Sequence, residues 1–282
     1  MSADHEFAAD WLSLREPADH AARPQALLDP LLAALPDSSP LNVIDLGAGH
    51  GSNLRWLAPR LQRTQRWLLI DRDPRLLQAA CEQARHDPPA RAIEIETLQT
   101  DLARTDFSWL SGADLVTASA WFDLVSADWI EHLAKACANA RIVALFALSV
   151  DGRWQFLDTA GDIDSDRDDE FVRNCFNAHQ RRNKGLGDAL GAQAAAALPR
   201  ILAAHGFSVM TRASEWSLPA GESMTRALGR MLLEGWQQAA AEQAPDQAER
   251  IRRWRDRRRA RLDLGRLGLV VGHVDVLALP AA

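Results

Sequence analysis

Residues 41–57 read Leu-Asn-Val-Ile-Asp-Leu-Gly-Ala-Gly-His-Gly-Ser-Asn-Leu-Arg-Trp-Leu. An apolar run carrying one acid, Asp45, breaks into glycine at every second position and then continues as a helix start. That order is a strand, a tight turn and a helix. Glycine lets the backbone take left-handed angles and lets a ligand come close to main-chain N–H groups. The helix start adds partial positive charge at the same place. A chain built this way reads as an α/β unit whose turn is either a ligand site or an ordinary tight turn.

The spacing narrows the ligand. A dinucleotide fingerprint is G-x-G-x-x-G. Here Gly47, Gly49 and Gly51 give G-x-G-x-G, and Ser52 stands where the third fingerprint glycine belongs. A second apolar run, Trp67-Leu68-Leu69-Ile70, ends in Asp71. An acid at the end of a second strand can accept both hydroxyls of a ribose. Asp73-Pro74 then opens the next helix with a cap residue and a proline at the first helical position.

The stretch Val43-Ile44-Asp45-Leu46-Gly47-Ala48-Gly49-His50-Gly51 resembles the first motif of class I S-adenosylmethionine (SAM) dependent methyltransferases. The resemblance implies α/β architecture, with a seven-stranded Rossmann-like sheet. That sheet is mostly parallel, carries helices on both faces, and has its last strand antiparallel between the fifth and sixth. It implies SAM as cofactor and S-adenosylhomocysteine (SAH) as product. The turn Gly47, Ala48 and Gly49 would pack on the methionine part, with Asp45 near its amino group. Asp71 would bind the ribose, with Arg72 beside it. Asp101 would accept from the adenine amino group, and the backbone N–H of Leu102 would reach the ring. Ser119 and Ala120 would lie next to the transferable methyl. From the leading helical segment, Arg15 or Arg23 would meet the carboxylate.

The fourth motif, Ala118-Ser119-Ala120-Trp121-Phe122-Asp123, is informative by what it lacks. It has no Asn/Asp-Pro-Pro-aromatic run of base-amino methyltransferases. No cysteine follows a proline as a cytosine C5 nucleophile requires. The acids of a catechol-type metal site are missing, so no metal is expected. Trp121 and Phe122 are read as walls for a flat or apolar acceptor, with ordinary core packing equally open.

With 282 residues, 47% of them hydrophobic, the chain can bury one large α/β core. A net charge of −6 argues against a general nucleic-acid binder. Cys81, Cys137 and Cys175 show no paired or metal-type spacing, which suits a reducing cytosol and a cytoplasmic location. Residues 1–10 carry acids and no apolar core, so no signal peptide is expected there. The apolar run 142–148 is too short to span a bilayer. Ten tryptophans and no tyrosine point to an aromatic core, or to an aromatic pocket.

Residues 1–40 read as a helical cap and 41–282 as the methyltransferase domain, with insertions near 151–187 and 222–263. Strands are expected at 92–98, 114–119, 141–150, 207–218 and 267–279, with helices at 74–85, 128–138 and within 186–205. The acidic stretch 162–170 fails as an EF-hand, because Arg167 and Arg173 stand where glycine and glutamate are required. It reads instead as a solvated loop and helix start. The run 176–187 is the densest set of donors in the chain and reads as a substrate lid. His179 is the candidate general base. Asn177, Gln180, Arg181 and Lys184 are candidate acceptor contacts, since guanidinium forks suit planar anions. Residues 250–261 hold eight arginines. A charged amphipathic helix is the favoured reading, with Ile251, Trp254 and Leu262 on one face.

The expected function is methyl transfer to a small-molecule acceptor, anionic or heteroaromatic. The alternatives are an RNA or protein methyltransferase using the 250–261 arginines, or a non-catalytic SAM-binding protein. The acceptor, the atom methylated and the oligomeric state are not fixed by the sequence.

Overall fold

The structure, a computed structural model, describes residues 9–37, 39–86, 92–182 and 188–281. A cap of two helices, α1 (Ala9–Ala22) and α2 (Leu28–Ala34), leads into alternating elements. These are β1 (Leu41–Leu46), α3 (Ser52–Leu61), β2 (Gln65–Asp71), α4 (Pro74–His86), β3 (Ile93–Gln99), β4 (Leu115–Ser119), α5 (Ala127–Ala140) and β5 (Val143–Leu157). Then follow α6 (Asp169–Gln180), α7 (Ala194–Ala204), β6 (Phe207–Ala213), β7 (Trp216–Leu218), α8 (Ser223–Gln243), α9 (Ala248–Asp263) and β8 (Gly268–Pro280). The strand order is β3-β2-β1-β4-β5-β8-β6, with β7 also paired to β8. Strands β1 to β5 run parallel, and β8 is antiparallel to its neighbours β5, β6 and β7.

The antiparallel last strand falls between the fifth and sixth, as expected. Two boundaries differ. The expected sixth strand divides into β6 and β7 around Ser214, whose N–H donates to the His273 carbonyl at 2.9 Å. The sheet therefore has eight strands rather than seven. Strand β5 runs on to Leu157, because the long β8 offers partners as far as Gly268. Residues 151–157 are thus sheet and not insertion. Helix α7 (Ala194–Ala204) lies within the expected 186–205 and begins after Gly191, whose left-handed φ of 52° an α-helix does not accommodate.

One face of the sheet packs on α5 and α7, through Phe122, Trp129, Ile130, Phe146 and Leu198. The other packs on α2, α3 and α4, through Leu31, Leu57, Trp67 and Leu77. A third core lies under α6, α8 and α9. It gathers Trp154, Phe156, Trp216, Trp236 and Trp254, with Trp154 and Trp236 stacked at 4.3 Å and 8°. Four of the ten tryptophans are therefore spent on this one cluster.

The acidic stretch is not the solvated loop expected from the sequence. Helix α9 lies along it. Arg250 bonds Asp168, and Arg257 bonds both Asp166 and Asp168. Arg258 bonds Asp164 at 2.7 Å and also Asp169, and Arg261 bonds Asp164. The four remaining arginines pair with Glu249 (Arg252, Arg253) or Glu234 (Arg255, Arg259). Two runs of opposite charge some eighty residues apart neutralise each other, which no reading of either run by itself can show. Among the described residues, no helix is long and apolar enough to cross a membrane.

Arg258 is only 2% exposed, whereas Arg253 is paired at the surface. Removing one partner of a buried pair leaves uncompensated charge, typically about 3–5 kcal/mol, against about 0–1 for an exposed pair. Urea unfolding should therefore show a large loss for Arg258→Met and almost none for Arg253→Ala. Equal losses would mean that the charged contact is not holding the loop to α9.

Candidate active site

Strand order reverses between β1 and β4, since β2 and β3 lie to one side and β5 onward to the other. In open α/β sheets the crevice at such a reversal, outside the strand C-terminal ends, is where ligands bind. The glycine turn sits there. Gly47, Gly49 and Gly51 all have left-handed φ, at 61°, 53° and 84°. The turn is closed by Ala48 N–H donating to the Ile70 carbonyl at 3.0 Å. A Cβ at Gly47 would overlap the Trp121 ring, and one at Gly49 would meet Leu12 of the cap at 3.5 Å.

Asp71 ends β2 beside this turn. Its carboxylate accepts from Gly49 N–H at 2.8 Å and from Asp73 N–H at 3.0 Å. A carboxylate has about four acceptor positions, so two remain for a diol. Asp45 is fully buried. Its Oδ1 accepts from Asn53 Nδ2 at 2.8 Å, while Oδ2 has no partner. Burial is the main cause that pushes its carboxyl up to about 7, against the Asn53 hydrogen bond and the charge of Arg23. Arg23 is also buried and leaves Nη2 unpartnered. A buried acid oxygen and a buried guanidinium nitrogen, each without a partner, fit the ammonium and carboxylate of an amino-acid group.

The cap grips the turn through residues that the sequence did not single out. Glu16 accepts from Arg55 at 2.5 and 2.7 Å and stands 3.1 Å from His50 Nε2. Burial raises its pKa, but the bonds from His50 and Arg55 outweigh that and bring it down to about 2. His20 Nε2 lies 3.0 Å from the Ser52 carbonyl. Arg15, expected at a cofactor carboxylate, is instead committed to Asp19 at 2.8 and 3.2 Å.

The remaining expected residues divide into three groups. Asp101 is exposed and caps the short turn at 102–104 by accepting from Ala103 N–H. Leu102 is buried, and its carbonyl accepts from Trp129 Nε1 at 2.7 Å. Arg72 is exposed. Ser119 and Ala120 lie half-buried at the end of β4, with Ala120 at a φ of 52°. Trp121 packs on Gly47, but Phe122 has no exposed surface and packs on Phe146 at 4.4 Å. Phe122 is therefore core, and the expectation that it faces an acceptor is corrected.

On α6, Asn177 Nδ2 donates to the Gly152 carbonyl at 3.0 Å, and Gln180 packs against Gly191. His179 Nε2 pairs with Glu242 of α8 at 2.9 Å, leaving Nδ1 buried and unpartnered. Arg181 is exposed and lines an open groove of about 760 Å³ together with Ser126, Asp128, Arg182 and Gln193. Lys184 lies outside the described residues.

Residues 43–141, spanning the turn, Asp71 and β4, match the family model of a methyltransferase domain. The match covers 99 of the 282 residues. No curated protein matches the sequence. Among solved structures, the chain is similar to the cyclopropane synthase MmaA2 from Mycobacterium tuberculosis, at 13% identity and a TM-score of 0.48 over 96% of this chain and 94% of that one. It is also similar to Haemonchus contortus phosphoethanolamine N-methyltransferase 2, solved with SAM, at 15% identity and a TM-score of 0.42 over 92% of this chain and 53% of that one.

The first turn glycine cannot carry a side chain. Gly47→Ala should cost roughly 1–2 kcal/mol for the left-handed backbone, and more for displacing Trp121. Pairing it with Trp121→Ala should recover the second part, and thermal unfolding of the two single variants and the double variant measures it. Strict additivity would show that the ring and the glycine are not in contact.

Proposed function

We propose that the chain binds SAM across the glycine turn and transfers its methyl group to a small-molecule acceptor. The observation that carries this reading is the run of three left-handed glycines at the sheet's order reversal, closed by Asp71 on Gly49 N–H. Asp71 is the residue for the ribose diol. Asp45 is the residue for the ammonium, through its unpartnered Oδ2. Leu12 and Trp121 lie against the turn at Gly49 and Gly47. When bound, SAM supplies an already activated sulfonium methyl, so alignment and desolvation do most of the catalysis.

On the acceptor side we place the C-terminal end of α6. Arg181 has no charged partner among the described residues and faces the groove, which suits an anionic group. The Glu242 carboxylate fixes the His179 ring through Nε2, so Nδ1 is the nitrogen left to take a proton. An RNA acceptor is less well supported. Every arginine of 250–261 is already ion-paired within the chain, and a polyanion would have to break those pairs.

Calorimetry should give SAH binding and no NAD binding. Asp71→Asn should weaken SAH by about 1.5–3 kcal/mol per charged hydrogen bond lost. NAD binding without SAH binding would overturn the reading. An unchanged SAH affinity in Asp71→Asn would remove Asp71 from the site.

The raised carboxyl of Asp45 gives a pH dependence with a definite sign. The apo protein holds a proton there up to about pH 7, and a cationic amine pairs only with the ionised form. SAH affinity should therefore fall as pH drops from 8 to 6 and level off above the midpoint. Asp45→Asn should abolish that slope. A slope that survives in Asp45→Asn belongs to another group.

A further inference from the structure

We infer that Arg23 and Asp275 are a positioning pair for Asp45, setting its orientation through Asn53. This rests on Asp45 being the ammonium-binding acid. The connection is continuous and buried throughout. Asp275 Oδ2 accepts from Arg23 Nε at 2.7 Å, and Arg23 Nη1 donates to Asn53 Oδ1 at 3.0 Å. Asn53 Nδ2 then donates to Asp45 Oδ1 at 2.8 Å and to Thr117 Oγ1 at 3.1 Å. Thr117 Oγ1 in turn donates to the Leu145 carbonyl at 2.7 Å. Arg23, Asn53, Asp275, Thr117 and Asp45 are all buried.

The logic lies in donor and acceptor identity. A guanidinium only donates, so it can meet only the oxygen of the Asn53 amide. That forces the NH₂ group toward Asp45. Thr117 Oγ1, whose hydrogen is used on the Leu145 carbonyl, favours the same sense from the other side, and Arg23 adds the donor that holds the amide oxygen. Arg23 therefore holds Asp45 with Oδ1 satisfied and Oδ2 open. The ring of Trp56, 4.1 Å below the guanidinium, fixes the arginine from its other face.

Asp275 does two further things. It balances the charge of Arg23, and its Oδ1 accepts from Leu148 N–H at 2.8 Å. Leu148 belongs to a bulge in β5, where Ala147 and Leu148 together oppose Asp275, and it has a left-handed φ of 53°. The same bulge receives Ala120 N–H on the Ala147 carbonyl at 2.9 Å. The pair thus links the acid at the turn to the strand ends beside Ser119 and Ala120.

Charged and polar groups reach Asp45 from several elements. Arg23 stands on the cap side, Asn53 on α3, Thr117 on β4 and Asp71 on β2; Glu16, His20, His50 and Arg55 surround the turn beyond them. A positive charge nearby favours the ionised carboxylate, so the two members of the pair should act in opposite directions on the pH profile.

The test is SAH calorimetry from pH 5.5 to 8.5 on the full chain, with urea unfolding of each variant. Arg23→Gln, which also removes the Nη2 donor offered to the carboxylate, is expected to weaken SAH by more than about tenfold and, as the readout that separates positioning from direct contact, to raise the pH midpoint by about half a unit or more. Asp275→Asn, which keeps the shape but frees the charge of Arg23, is expected to lower the midpoint. If Arg23→Gln does not fold, Asp275→Asn decides by itself. Loss of stability with an unmoved midpoint in the folded variants overturns the inference and leaves the pair purely structural. Wild-type protein that does not bind SAH overturns the proposed function instead.

Discussion

A single buried arginine joins the two ends of this chain. Arg23 of the cap and Asp275 of the last strand stand 252 residues apart in sequence and 2.7 Å apart in space. Burying a lone guanidinium would be prohibitive, so the fold must bring it a carboxylate and further acceptors. Meeting that demand fixes where the cap lies, where β8 inserts and which way Asn53 points. The insertion of an antiparallel strand between β5 and β6 is thus tied to the same contact that orients the acid beneath the glycine turn. Architecture and site share one buried charge.

The periphery follows a similar principle with different components. The loop at 158–168 and the start of α6 carry the acids, and α9 carries the arginines. Their pairing covers the tryptophan core formed by Trp154, Trp236 and Trp254. Charge of the kind that marks a nucleic-acid surface is instead paired within the protein. Helix α6 runs from this clamp to the groove at Arg181, so the clamp also sets where the proposed acceptor residues stand.

Much of the domain was legible in the sequence because its signals are local. The glycine spacing, the acid inside β1 and Asp71 at the end of β2 each follow from neighbours within a few residues, and the elements from β1 to β4 lie close to where the pattern puts them. What was not legible depends on distant partners. Nothing near Arg15 shows that Asp19 and not a ligand will hold it. Nothing near Asp164 shows that Arg258 will cover it. Phe122 reads equally as a pocket wall or as core, and only the ring of Phe146 against it decides. Asp275 carried a faint signal, an acid in an otherwise apolar strand, but its partner lies at the other end of the chain. The division of the sixth strand and the extension of β5 were hidden for the same reason, since both depend on the length of β8.

The central claim is that the glycine turn, Asp45 and Asp71 form one cofactor site. A crystal structure grown at saturating S-adenosylhomocysteine tests it most directly. The account expects the ribose hydroxyls on the Asp71 carboxylate and the ammonium on Asp45 Oδ2, above Gly47 and Gly49. A ligand bound elsewhere, with Trp121 still seated on Gly47 and Asp45 Oδ2 still without a partner, would contradict it.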